Sequence, residues 1–169
     1  MIYVKNSTKC DNLTDTRIGE TYKISFIESI PNLTVSYHYL THYEISISSN
    51  FYSVGTVSSR TGIKILHTGM YHIQFANAYF DVSGGDGIVW ALVGSTRLGN
   101  RAAFITAQYT ADTKNSHVCA CVGGITELFE GEVVYCGVSK SGVLSGSVNF
   151  SSGERLNGVM TVTYLGQTN

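Results

Sequence analysis

The sequence has little charge of either sign. Only 14% of its 169 residues are charged, and the formal net charge is -1. A chain so balanced has no strong electrostatic attraction for nucleic acid or for an anionic membrane surface. With 43% hydrophobic residues, it is typical of one globular domain that can bury a sizeable core. The composition therefore disfavours nucleic-acid binding and predicts a single folded domain.

Long hydrophobic runs are also missing. No apolar run reaches the roughly 18 residues that a membrane-spanning helix needs, and the opening "MIYVKNSTKC" lacks the apolar centre of a signal peptide. We therefore expect no membrane insertion and no export signal within this sequence. Residues 1–20 are polar and irregular, which predicts a lead-in or attachment segment before a head domain at 21–169.

The cysteines are few: Cys10, Cys119, Cys121 and Cys136. An even number would suit disulfides in a secreted protein. Cys119 and Cys121, however, would share one face of a strand near the upper limit of bridgeable separation. Together with His117 they also lack the spacing of a structural zinc site. We expect buried, unpaired thiols rather than disulfides or a metal centre.

Catalytic motifs are absent as well. The sequence has no Gly-x-Ser-x-Gly elbow and no phosphate-cradling glycine loop, and its acidic residues are dispersed. His38 and His42 are four residues apart, a spacing that forms a metal-binding face only on a helix, whereas "TVSYHYLTHYE" has a strand and turn pattern. We expect no enzyme activity, no metal and no cofactor.

Short alternating runs dominate what remains. "TYKISFIE", "IVWALV" and "GVMTVTYL" are rich in β-branched and aromatic residues and are separated by clusters of glycine, serine, asparagine and aspartate. This pattern predicts an all-β sandwich or barrel. The single proline, Pro31, predicts a turn or an edge strand. We interpret "VSGGDG" as a hairpin connection.

One predicted strand, from Tyr71 onward, has two different faces. Tyr71, Ile73 and Phe75 alternate on the side expected to face the core. His72 and Gln74 alternate on the other side, which carries only small or uncharged polar groups. Such a face is neither typical core nor typical solvated surface, and it suits contact with another subunit.

Three segments, in their order and approximate spacing, resemble the tumour necrosis factor and complement globular-head superfamily. They are "GMYHI" at 69–73, "GGITELFEGEVV" at 123–134 and "RLNGVMTVTYLG" at 155–166. The resemblance covers roughly residues 60–166 and implies a jelly-roll β-sandwich of about ten antiparallel strands that forms a homotrimer. The sequence departs from the superfamily pattern at three positions: Ile73 replaces an aromatic residue, Glu132 replaces aspartate, and Leu156 stands where an aromatic residue is common.

The resemblance also implies a subunit interface. In this superfamily one sheet of each jelly roll packs around a threefold axis, so His72, Gln74, Cys121 and Leu156 would lie at the axis. The alternative for His72 and Gln74 is a polar groove under a loop.

Two function classes fit these features. The first is a trimeric adhesive head at the tip of a viral or bacteriophage fibre or spike, on the virion surface, which binds a host-cell receptor or glycan. The second is a secreted cytokine-like or complement-like ligand domain. The missing export signal favours the first, and the lack of a basic arm disfavours a viral coat protein. Polar segments between strands supply the candidate ligand-binding residues Tyr109, Lys114, Lys140 and Arg155.

Overall fold

The structure, a computed structural model, consists of β-strands and their connections in the residues that it describes. These are 18–26, 29–30, 32–33, 36, 38–41, 43–45, 52–57, 60–83, 87–98, 104–110, 116–141, 145–149 and 158–167. The strands are β1 (Thr21–Phe26), β2 (Ser29–Ile30), β3 (His38–Tyr39), β4 (Tyr43–Ile45), β5 (Tyr52–Val57), β6 (Arg60–Ile65), β7 (Gly69–Ser83), β8 (Gly87–Ser95), β9 (Phe104–Thr110), β10 (Ser116–Leu128), β11 (Val133–Lys140), β12 (Ser145–Asn149) and β13 (Val159–Gly166). This part of the chain contains no helix that could cross a membrane.

The strands form two antiparallel sheets. Sheet A has the order β2-β12-β7-β13-β1-β4, and β10 pairs with the free side of β7. Sheet B has the order β5-β6-β11-β8-β9, and β3 pairs with β11 beyond the end of β6. The predicted β-sandwich is confirmed. The trimer stays a prediction.

The core lies between the two sheets. Tyr71, Ile73 and Phe75 of β7 are fully buried, as their alternation predicted. Val134 and Cys136 of β11 are buried from the other sheet. Other buried side chains of this core include Ile24, Phe26, Ile63, Ile65, Val89, Ala91, Val93, Val138, Met160, Val162 and Tyr164.

A chain of tyrosine rings fills one end of the core. Tyr52 stacks on Tyr22 at 5.5 Å and meets Tyr71 edge-on at 6.2 Å, and Tyr71 lies 5.3 Å from Tyr164. The Tyr71 hydroxyl donates to the carbonyl of His67 at 2.5 Å. Burial is the main cause that raises the pKa of Tyr52, with smaller contributions from nearby Tyr71 and other groups. These rings therefore combine apolar packing with satisfied polar ends.

The start of the described chain is tied to this end of the sandwich. The amide of Gly19 donates to the carbonyl of Tyr164, and the amide of Tyr164 donates to the carbonyl of Glu20. Tyr52 donates its hydroxyl to the same Glu20 carbonyl at 3.1 Å. Gly19 and Glu20 thus extend the β1–β13 ladder. Residues 1–17 of the predicted lead-in at 1–20 lie outside the described residues.

The hairpin interpretation of "VSGGDG" is wrong. The strand before it, β7, belongs to sheet A, and the strand after it, β8, belongs to sheet B. The segment therefore connects two sheets instead of two paired strands. Glycine allows tight connections of either kind, so its presence alone does not reveal which strands become neighbours. Pro31 lies outside the described residues.

Candidate interaction surfaces

The outward side of four neighbouring strands in sheet A forms a broad face, which we call the A face. Antiparallel partners point to the same side of a sheet, so the pairings of β1, β13, β7 and β10 define rows across it. One row is Thr21, Thr163, His72 and Ile125, and the next is Lys23, Thr161, Gln74 and Gly123.

Among the described side chains of the A face, charge lies at its flanks. Lys23 on β1 and Glu127 on β10 point outward, whereas the outward positions of β13 and β7 in these rows carry no carboxylate, lysine or arginine. Large apolar side chains are exposed instead, with Ile125 at 60% and Leu165 at 38%. Exposed apolar residues on an uncharged sheet face are typical of an interaction surface.

Three of the four residues predicted at a subunit interface lie on the A face. Gln74 is exposed and His72 is partly exposed, as the alternation along β7 predicted. Cys121 is exposed at a β-bulge between Ala120 and Val122, where the β10–β7 register shifts. Leu156 lies outside the described residues. The structure thus brings His72, Gln74 and Cys121 to one surface, and their role in a trimer stays a prediction.

Two of the predicted ligand-binding residues reach the same end of sheet B. Tyr109 pairs with Ile88, and Lys140 pairs with the next residue of β8, Val89. Tyr109 was expected in a loop, but it lies inside β9, because that strand continues through Thr110. Lys140 is the last residue of β11 and its ammonium group donates to the carbonyl of Ser141 at 3.4 Å. Lys114 and Arg155 lie outside the described residues.

A buried carboxylate, Glu132, lies at the opposite end of sheet B. The sequence patterns did not predict its contacts. Glu132, only 7% exposed, accepts from Ser95 Oγ at 2.6 Å and from Arg97 Nε at 2.7 Å. It also accepts from the amide of Phe129 at 3.1 Å. Arg97 stacks over the ring of Phe129, 4.7 Å from its centroid. Through these contacts Glu132 links the start of β11 to the end of β8 and to the turn before β11.

An arginine between two tyrosines forms a second cluster that the sequence did not indicate. The guanidinium carbon of Arg60 lies 4.5 Å from the ring centre of Tyr39 and 4.8 Å from that of Tyr135. Arg60 donates to the hydroxyl of Tyr135 at 3.1 Å and to that of Tyr39 at 3.3 Å. Burial raises the pKa of Tyr135, and the Arg60 charge opposes part of that rise. The three residues are far apart in the chain, so no local pattern could identify them.

A metal centre finds no support in the described part of the chain. Nowhere in those ranges do three or more histidine, cysteine, aspartate or glutamate side chains come close enough to hold an ion. Cys121 and Cys136 are both unpaired. The expected burial is confirmed for Cys136 and is wrong for Cys121, which is exposed at the surface of sheet A. The side chains of His117 and Cys119 lie outside the described part of the structure.

Comparison with known proteins identifies the fold. No protein-family model matches the sequence, and no curated protein matches it. The structure is similar to that of Eiger, a tumour necrosis factor of S. frugiperda, with a TM-score of 0.54 over 90% of this chain and 96% of that one. The two sequences are 10% identical over the match. This likeness shows a tumour-necrosis-factor-like jelly roll, as the sequence resemblance implied.

Proposed function

We propose that the protein is a non-catalytic, trimeric receptor-binding head at the tip of a viral or bacteriophage fibre or spike. The observation that carries this proposal is the A face, where Thr163, His72, Thr161 and Gln74 occupy the outward positions of the central strands and Ile125 and Leu165 are exposed. A second and a third copy of the chain would cover this face around a threefold axis. The fold likeness to a tumour necrosis factor supports the same arrangement.

Trimerisation raises the avidity of a binding head for a surface that carries many copies of its ligand. Three identical weak sites on one rigid body raise avidity, by a factor on the order of 100 or more, when a target surface engages them together. Tyr109 and Lys140, whose backbone positions lie at one end of sheet B, are the residues that we assign to ligand contact. That end can face a cell surface while the A faces stay in contact.

A secreted ligand is the second candidate, and the likeness to Eiger favours it. The state of Cys121 favours the viral head instead. An exposed free thiol suits a protein that folds in a reducing cell interior, whereas secreted domains of this size commonly pair their cysteines. A virion surface is therefore the location that we propose.

The proposal is tested in two steps on the purified chain. Light scattering at micromolar concentration should give about three times the monomer mass of 18.3 kDa. Labelled protein should then bind host cells or a glycan array, and Tyr109→Ala with Lys140→Ala should weaken binding without dissociating the trimer. A mass equal to that of the monomer would contradict the proposal of a trimeric head. A trimer that binds no cell, glycan or receptor would instead be a structural cap on a particle.

A further inference from the structure

We propose that Arg60 binds the carboxylate of an acidic sugar on the outward side of sheet B. The Tyr135 ring lies flat against the strand beside it, because Gly94 has no side chain: a Cβ there would lie 3.0–3.1 Å from Tyr135 ring and hydroxyl atoms. The guanidinium carbon of Arg60 lies over that ring and over the ring of Tyr39. The two rings are nearly perpendicular, at 88°, so the guanidinium is held in the corner between them.

The held guanidinium still has donors to offer. Arginine carries five N–H groups, and the contacts to the two tyrosine hydroxyls use two of them. Three remain, and a carboxylate needs only two for the bidentate geometry that arginine favours. The two hydrogen bonds and the two ring contacts also restrict the side chain, so binding costs little further rotamer entropy. Arg60 is partly exposed, which leaves a ligand access to it.

No negative charge in the described residues compensates Arg60. The ion pair found among them joins Arg97 to Glu132, and no described carboxylate pairs with Arg60. The six strands of sheet B contain no aspartate or glutamate at all. They do carry basic residues, namely His38, Arg60, Lys64 and Lys140. A partly buried cation on an acid-free sheet lacks a counter-ion that an anionic ligand can supply.

A sugar acid fits this site better than an acidic peptide. The partly exposed Tyr39 beside the cation offers an aromatic surface, against which the apolar side of a pyranose ring can pack. A sugar acid joins ring and carboxylate rigidly, so one small site can contact both at low entropic cost. An acidic side chain would supply the carboxylate alone. The ligand class is therefore a carboxylated glycan, and this inference rests on the proposed function as a binding head.

The direct test follows the Arg60 side chain by NMR in the intact protein. Titration with sodium glucuronate to about 10 mM should shift the Arg60 Nε–H resonance and saturate it. Methyl glucoside, which keeps the ring and lacks the carboxylate, should leave that resonance unchanged. Arg60→Lys keeps the charge but loses the planar fork, and it should weaken glucuronate binding about tenfold. The matched variant Lys23→Gln, which removes one positive charge from β1 of the other sheet, should bind as the unmodified protein does.

The outcomes separate this site from the proposed function. An Arg60 resonance that does not respond to glucuronate overturns the site, even if the trimer attaches to cells. A response to a hexaglutamate peptide without a response to glucuronate also overturns it. If glucuronate binds at Arg60 but the protein attaches to no cell, the site is supported and the proposed receptor-binding function is contradicted. Because the shift is measured in the unmodified protein, the result does not depend on whether the Arg60 variant folds.

Discussion

Gly123 lies directly opposite Gln74 across the β10–β7 ladder. A Cβ added to Gly123 would come within 2.3 Å of the Ile73 carbonyl oxygen and 2.8 Å of the Gln74 Cα. The backbones of the two strands therefore approach each other at a point where no side chain can stand. This leaves Gln74 without a neighbour on the β10 side and exposes it at the middle of the A face.

The first prediction concerns charge at that point. Gln74→Arg should place three like charges near one axis, which costs several kcal/mol in a desolvated interface and should shift the trimer towards monomers. Light scattering over a dilution series measures this shift. Thr56→Arg, at an exposed position of sheet B, is the matched control and should leave assembly unchanged. Equal assembly of both variants would mean that Gln74 is not at an interface.

The second prediction concerns Gly123 itself. Gly123→Ala should destabilise the fold by about 1–3 kcal/mol, because the new Cβ must push two paired backbones apart. Thermal unfolding measures the effect. Ser53→Ala, on a partly exposed site of β5, should change stability by less than about 0.5 kcal/mol. An unchanged melting temperature for Gly123→Ala would show that β10 and β7 are not so close.

The third prediction concerns the buried Glu132. Glu132→Ala should cost about 2–4 kcal/mol, because it leaves the buried Ser95 hydroxyl and the Phe129 amide without their acceptor. Urea unfolding measures this loss. Glu130→Ala, two residues earlier in the same turn, is exposed and should be nearly neutral. Similar losses for the two variants would argue against the contacts of Glu132.

The fourth prediction concerns the thiols. Alkylation without reductant, read by mass spectrometry, should modify all four cysteines in denaturant, and two intrachain bridges would contradict this and support a secreted ligand. In the native protein Cys136 should stay unmodified, because it is buried against Met160 at 3.2 Å and burial raises its pKa. Cys121 should react slowly in the trimer and quickly in the Gln74→Arg monomer. Equal rates would place Cys121 away from the interface.

The fifth prediction concerns alkaline pH. Burial raises the pKa of Tyr52 above its usual value near 10, so the folded state favours the neutral phenol. That contribution is complete below about pH 10 and is lost as the pH rises beyond it, by up to about 1.4 kcal/mol per pH unit for one group. Urea unfolding across this range should show the fall, and Tyr52→Phe should flatten it. A fall of the same slope in Tyr52→Phe would assign it to other groups.

Strand positions and faces followed from the sequence because they depend on neighbouring residues. Alternation with a period of two placed Tyr71, Ile73 and Phe75 in the core and His72 with Gln74 outside, since successive side chains of a strand point to opposite sides. The superfamily resemblance supplied the jelly roll.

Strand neighbours were decided only in three dimensions. The glycines of "VSGGDG" allow a tight connection, but they do not decide whether it joins two paired strands or crosses between sheets. In the structure β7 pairs with strands of sheet A and β8 pairs with β11 and β9 of sheet B, so the segment crosses. Tyr109 was expected in a loop, because polar residues follow it; pairing with Ile88 holds it in β9.

The contacts of single side chains depend on tertiary structure most of all. Tyr39, Arg60 and Tyr135 lie on three strands, and their meeting requires that β3 and β6 pair with successive parts of β11 and that Gly94 leaves room for a ring. A local sequence pattern cannot predict this contact, because cation–π and dispersion energies arise only between groups that the whole fold brings within a few ångströms. The sequence by itself determined which residues alternate and which face is uncharged; the packing of two sheets decided which distant residues touch.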